Sequence, residues 1–249
     1  MTHPDVLALE DVTKRFGSLA AVDEVTMHVP VGGCRALIGP NGAGKSTLFN
    51  LVSGRIRPSG GRILFDGRDV TGLSEDRRNR MGMATTFQHS NLFDGLSVRR
   101  NLELAMQRRL GLGARVWAGR RRQAELRQRT EQQLEQTGLG PLAERRAGLL
   151  AHGQRRRLEI ALAVCTDPRL LLLDEPAAGM SAAECEELIE LIRSLSERTV
   201  VLIEHNIDLV LEVATTISVL DAGRLVMEGG PSEVSGSKIV QEAYLGAGR

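Results

Sequence analysis

The sequence is poor in cysteine, aromatics and lysine. Cys34, Cys165 and Cys185 are its only thiols, odd in number and far apart in 249 residues. With no CxxC pair and no Cys/His cluster, a disulfide framework and a thiolate metal site are excluded, and a reducing compartment fits. Aromatic residues make up 3% of the chain and Trp117 is the single tryptophan. No stretch interleaves aromatic with basic residues as a base-stacking surface would. Among the 32 basic residues, only Lys14, Lys45 and Lys238 are lysine, a bias we attribute to genome composition. No apolar run approaches the ~20 residues that span a bilayer. Met1 to Glu10 lacks the basic segment and apolar run of a secretory signal. The net charge is +1, so no whole-molecule field selects a polyanionic partner.

What remains is an ordinary globular composition, 42% hydrophobic and 25% charged. A chain of this length buries roughly 70–75% of its unfolded surface and needs no staple to fold. Three short runs, Cys34–Ile38, Leu170–Leu173 and Val200–Ile203, are apolar at every position or nearly so. That pattern suits parallel strands with helices on both faces. Each ends in polar residues: Gly39-Pro40-Asn41, Asp174-Glu175 and Glu204-His205. Ligands of open parallel sheets bind beyond the carboxyl ends of the strands, so these three tips can share one site. Between Val6 and Phe65, Leu7–Val12 and Val22–Val29 alternate and read as an antiparallel addition to the core sheet. Helices follow Lys45 and cover Leu158–Cys165 and Leu188–Leu195, the last opened by a capping box of Ser181 and Glu184. Asp167-Pro168 closes the middle one. Residues 91–150 are rich in Arg, Gln and Leu without a strand-like run, and read as an inserted helical subdomain. The fold class is therefore α/β.

Gly39-Pro40-Asn41-Gly42-Ala43-Gly44-Lys45-Ser46 matches G-x-x-x-x-G-K-[ST], after a strand and before a helix, with Thr47 next. Glycines let the backbone curl so that N–H groups point at a phosphate, and the helix N-terminus adds roughly half a positive charge. Lys45 would reach the β and γ phosphates of a nucleoside triphosphate, and Ser46 would ligate Mg²⁺. Asp174, at the tip of a buried strand, would hold the same ion directly or through water. Glu175 is placed to polarise an attacking water, a role typically worth 10²–10⁴-fold in rate. This pair alone does not separate an ATPase from a kinase.

Leu150-Ala151-His152-Gly153-Gln154-Arg155-Arg156-Arg157-Leu158-Glu159-Ile160-Ala161 resembles the signature motif of ATP-binding cassette (ABC) proteins, just upstream of Asp174. Other motifs of that superfamily follow in order. Phe16 resembles the aromatic that stacks on adenine, Gln88 the Q-loop glutamine, Ala178-Gly179-Met180-Ser181 the D-loop, and His205 the switch histidine. The resemblance covers the chain. It implies one ABC nucleotide-binding domain over 1–249: a P-loop NTPase core sheet covered by helices, an antiparallel β subdomain, and a helical insert over about 91–157 that carries the signature.

The resemblance also implies how the parts act. Two subunits would pair head to tail and hold ATP between the phosphate loop of one and the signature, Ala151 to Gln154, of the other. Lys45, Glu175, His205 and Gln88 would be catalytic, and Ser46, Gln88 and Asp174 would hold Mg²⁺. Gln88 would pass the nucleotide state to the helical insert, which docks on polytopic permease subunits.

Two positions depart from the pattern. Ala151 replaces the signature serine and removes a hydroxyl donor to the γ-phosphate, a loss of about 1.5–3 kcal/mol unless backbone N–H groups or His152 compensate. Ser181 stands where the D-loop often has aspartate, and its capping role explains it. More finely, Thr86-Phe87-Gln88, Asn91-Leu92-Phe93, Leu96-Ser97-Val98, Asp174 to Gly179 and Ala243-Tyr244-Leu245-Gly246 resemble the branched-chain amino acid importer ATPases, which often carry alanine at the Ala151 position. An arginine usual before Thr-Phe-Gln is Thr85 here.

The expected function is MgATP hydrolysis at the cytoplasmic face of the plasma (inner) membrane. It would drive import through separate permeases, with a second cassette or a second copy as dimer partner and a solute-binding protein as indirect partner. Relatives with such motifs also serve urea and short amides. Rival readings are a non-transport ABC protein on ribosomes or nucleic acid, and a regulatory module that dimerises but hydrolyses poorly. Arg108 to Arg129 carries eight arginines against Glu125. It reads first as a solvated surface, second as attracted to anionic lipid headgroups, and nucleic acid is not expected.

Overall fold

The computed structural model describes residues 5–86, 92–109 and 120–237. In chain order its elements are β1 (Asp5–Phe16), β2 (Leu19–Pro30), β3 (Cys34–Ile38), α1 (Lys45–Ser53), β4 (Gly60–Phe65), β5 (Arg68–Asp69), α2 (Glu75–Arg80) and β6 (Met83–Thr85). Then come the helices α3 (Val98–Arg109), α4 (Arg120–Gln136) and α5 (His152–Cys165). They are followed by β7 (Leu170–Asp174), α6 (Ala182–Ser194), β8 (Thr199–Ile203), α7 (Ile207–Val213), β9 (Thr216–Asp221), β10 (Arg224–Gly229) and α8 (Pro231–Ser235).

Two compact units divide the chain. One holds residues 1–85, 169–176 and 195–249; the other holds 86–168 and 177–194. The first contains both sheets. The six-stranded sheet runs β10-β9-β3-β8-β7-β6, parallel throughout except for β10. Every residue of β3, β7 and β8 is buried, as their unbroken apolar runs require. Period-two alternation sorts their side chains between layers. Leu37 joins the core that includes α1 and the antiparallel strands, while Ala36 and Ile38 join Val210 and Ala214 of the α7 segment and Val234 of α8. The antiparallel strands do not extend the parallel sheet. They form a separate four-stranded sheet, β2-β1-β4-β5, whose inner face (Leu7, Leu9, Val25, Met27, Ile63, Phe65) closes the core over α1. A half-apolar strand finds its cover there, whereas insertion beside β3 would expose its polar face to a dry core.

The second unit is helical. Val98, Leu102 and Met106 of α3 meet Leu126 and Leu134 of α4 and Leu158, Ala161 and Cys165 of α5 in one cluster. The unit is wider than the stretch set apart by composition: it takes in all of α5 and also α6, tied by an Arg157–Glu187 ion pair at 2.9 Å. Arg121, Arg122 and Arg127 lie exposed on α4, whose Leu126 and Thr130 are buried, and Arg129 pairs with Glu125 at 2.8 Å. Residues 110–119 of the arginine-rich stretch, with Arg115 and Trp117, lie outside the described residues.

Candidate nucleotide site

Strand register sets the site. Ile203, the last residue of β8, pairs with Leu37 of β3 on one side and Asp174 of β7 on the other. The chain segments after these strands, the 39–46 loop, Asp174-Glu175 and Glu204-His205, therefore leave the sheet at one level. This is the convergence expected from the three polar tips, and it lies at the carboxyl edge of the sheet.

The 39–46 loop is braced from two directions. Gly223, in the β9–β10 turn, donates its N–H to Ala43 O at 3.0 Å. Gly44 has φ +100°, and a Cβ there would fall inside contact distance of the Ala21 carbonyl oxygen on β2. Glycine is thus needed for both dihedral and space. Helix α1 starts at Lys45. The Lys45 side chain is 5% exposed and folds back, its Nζ donating to Gly39 O at 2.8 Å and Pro40 O at 2.9 Å. Burial lowers its pKa from the ordinary lysine value, and the charge of Glu175 opposes that shift. A phosphate placed in the loop would offer this ammonium acceptors stronger than two neutral carbonyls. Asn41 and Gly42 are exposed, and a Cβ on Gly42 would meet nothing within 4 Å, so the rim of the loop is open.

Glu175 has φ +44° and donates its N–H to Ile203 O at 2.9 Å. A non-glycine residue in that region is strained, a feature that gathers at functional sites. Its Oε1 lies 2.8 Å from Nε2 of His205, and both side chains are partly exposed. A carboxylate held by an imidazole, in reach of solvent, is the geometry a water-polarising pair needs. The sequence reading missed the group that steadies this histidine. Glu204 is 3% exposed, and its Oε2 accepts the N–H of His205 at 2.8 Å and of Asn206 at 3.2 Å. Asn206 in turn caps α7 by accepting from Leu209 N–H at 3.1 Å. The only signal was a second carboxylate beside the histidine at a strand end.

The donor set suits Mg²⁺. Ser46 is exposed in the first turn of α1, and Asp174 ends β7. Both offer hard oxygen. Mg²⁺ keeps waters and takes one or two protein ligands plus substrate phosphates rather than a full protein cage. Gln88 lies outside the described residues.

Phe16 is 53% exposed at the end of β1, with the Lys14 ammonium 5.1 Å from its ring centroid. The signature residues belong to the helical unit. Ala151 is the N-cap of α5 and His152 its first residue, both exposed, while Gly153 is buried. Gln154 Oε1 accepts the Ala151 N–H at 3.1 Å. Gly179, in the 178–181 loop, lies beside His152: a Cβ there would be 3.7 Å from its ring.

The family described as ABC transporter matches residues 22–178. The chain is 41% identical over 254 residues, 99% of each chain, to the high-affinity branched-chain amino acid transport ATP-binding protein LivG of Salmonella typhimurium. It is similar to the crystal structure of the ADP conformation of an ATP-binding cassette of an ABC transporter, with TM-score 0.81, 28% identity, and 97% and 99% of the two chains covered. A dimeric cassette in a post-hydrolysis state, bound to ADP and Pi, superposes with TM-score 0.74 at 25% identity over 90% of this chain and 98% of that one.

Proposed function

The chain belongs to the ABC transporter family and is one of its ATPases, and on that premise we propose that it powers uptake of branched-chain or similar amino acids through separate permease subunits. The solute class rests on the full-length likeness to the LivG protein. The hydrolytic reading rests on one observation above others: the Glu175–His205 contact at 2.8 Å, on strands whose register brings both beside the phosphate loop.

In this reading the loop N–H groups and the start of α1 take the β and γ phosphates, and Lys45 leaves the carbonyls of Gly39 and Pro40 to join them. Ser46, Asp174 and Gln88 hold Mg²⁺, which screens the phosphate charge when bound. Glu175 accepts the proton of the attacking water. His205 fixes the carboxylate of Glu175 and contacts the γ-phosphate, and Glu204 fixes the backbone of His205. Phe16 stacks on adenine. A second cassette, from this chain or another, presents its signature N–H groups (Ala151 to Gln154) to the γ-phosphate, so ATP joins the two and hydrolysis parts them. No helix among the described residues is long and apolar enough to cross a membrane. In this reading polytopic permeases hold the protein at the cytoplasmic face of the inner membrane, and a solute-binding protein feeds them.

The test is a mild-detergent pull-down of tagged protein from its native membranes, with partners identified by mass, followed by uptake of labelled leucine in cells with and without the chain. Two polytopic permeases, and leucine uptake that needs the chain, are expected. Ribosomes or nucleic acid without a polytopic partner would refute the reading.

A further inference from the structure

Helix α5 opens with little of its own to satisfy its first turn. Ala151 is the N-cap and its methyl accepts nothing. An alanine there leaves the first N–H groups to other acceptors. Gln154 takes one, as described above. The other acceptor comes from far along the chain: Glu184 Oε1 accepts the Gly153 N–H at 3.1 Å. The second oxygen of the same carboxylate, Oε2, accepts the N–H of Ser181 at 2.9 Å and its hydroxyl at 2.9 Å. One carboxylate thus spans the end of the 178–181 loop and the first turn of the signature helix, both within the helical unit. A Cβ on Gly153 would lie 2.5 Å from Glu184 Oε1, so the carboxylate sits directly against the bare backbone of this residue. The Ser181 and Gly153 hydrogen bonds, with the nearby charge of His152, hold the Glu184 carboxyl below its ordinary pKa, and the link is ionised at neutral pH.

A local capping box uses only the Ser181 side of this contact. The bond to Gly153 is outside that box, and a negative group at a helix N-terminus is favoured there by the helix dipole. We propose that Glu184 is a positioning residue that fastens the signature turn, the segment meeting the partner subunit's ATP, to the 178–181 loop, so that the turn keeps one geometry. The inference rests on the reading of the site as half of an ATP-bridged dimer. Glu184 touches no nucleotide in that reading; it acts through Gly153 and Ser181. Losing it leaves the Gly153 N–H without its acceptor and the loop free of the helix. The phosphate loop of the same subunit, carried by the other unit, keeps its own bracing.

The experiment uses the full chain in the Glu175→Gln background, where slow hydrolysis preserves ATP-bridged dimers. Dimerisation in MgATP is followed by sedimentation velocity for E175Q, E175Q/E184A and E175Q/E184Q, with one-subunit affinity for a fluorescent ATP analogue and melting temperature measured alongside. The alanine variant is expected to need about tenfold more protein to dimerise, the effect of losing one hydrogen bond to a charged group, while one-subunit affinity stays within about twofold. The glutamine variant, which keeps an oxygen for Gly153 but offers an amide nitrogen to Ser181, is expected to fall between. Equal dimerisation of E175Q and E175Q/E184A overturns the inference. So does a parallel fall in melting temperature and one-subunit affinity, which would make Glu184 a general structural residue. If E175Q alone stays monomeric in MgATP, the dimer reading fails, and the inference falls with it.

Discussion

Arg78 lies in the middle of α2, a short helix of charged and polar residues, yet it is 1% exposed. Its Nη1 donates to Leu51 O at 2.8 Å and Val52 O at 2.6 Å, carbonyls of the last turn of α1. Its Nε and Nη2 reach Leu73 O and Thr71 O, each at 3.2 Å. Burial pulls its pKa down to about 10, with the charge of Asp69 opposing, so it remains a cation at neutral pH. The guanidinium therefore ties the far end of the phosphate-loop helix to the neighbouring 70–74 loop, at the pole where the helix dipole welcomes positive charge. Consider Arg78→Met, which keeps an unbranched apolar stem. The two short bonds are each worth about 1.5–3 kcal/mol to a charged donor, and removing the buried charge returns part of that. The expected net loss is about 2–4 kcal/mol. In a chain of this size that lowers the melting temperature by on the order of 10 °C. Arg78→Lys keeps the charge but cannot fork to four carbonyls, and is expected to lose about half as much. Thermal unfolding followed by circular dichroism reads both variants. A methionine variant melting within about 2 °C of the parent would refute the claim that this buried cation anchors α1.

Gly44→Ala would place a methyl against the Ala21 carbonyl in a left-handed conformation. The loop must shift, and ATP affinity is expected to fall by more than about tenfold, as strain of 1–3 kcal/mol dictates, read by a fluorescent nucleotide analogue; unchanged affinity would show that the loop tolerates the shift. Alkylation of the folded protein at pH 8 should label Cys185, which is partly exposed. It should spare Cys34 and Cys165, since both are buried and burial pushes the Cys34 thiol up to about 12, protonated at any working pH. Peptide mass spectrometry reads the labelled sites, and labelling of Cys34 in folded protein would contradict its burial.

The fold was most legible where both faces of a strand are dry. Cys34–Ile38, Leu170–Leu173 and Val200–Ile203 needed no context, because unbroken apolar runs of that length have few alternatives. β10 was hidden because Arg224–Gly229 is a half-exposed edge strand with a glycine and two charges. Helix α2 was hidden because its one core residue is an arginine, invisible to any apolar periodicity. Apolar periodicity shows helix α5 only from Leu158, and its start at His152 was legible only from the resemblance of Ala151 to Gln154 to a helix-opening signature, since the first turns carry Arg155, Arg156 and Arg157, held by ion pairs rather than by an apolar face. The site was legible as three strand tips. What the sequence could not supply was the mutual register that aligns them, the left-handed backbone of Glu175, and the burial of Glu204, which as a strand-end carboxylate reads as solvated.

The central claim is that Glu175, held by His205, drives hydrolysis at the edge of the core sheet. Single-turnover hydrolysis of MgATP by the parent chain and by Glu175→Gln, with nucleotide affinity measured in parallel, tests it most directly. A general base of this kind is worth roughly 10²–10⁴-fold, so the glutamine variant should hydrolyse ATP slower by that factor while binding it as well as the parent. Hydrolysis within about threefold of the parent would place the proton acceptor elsewhere and contradict the account.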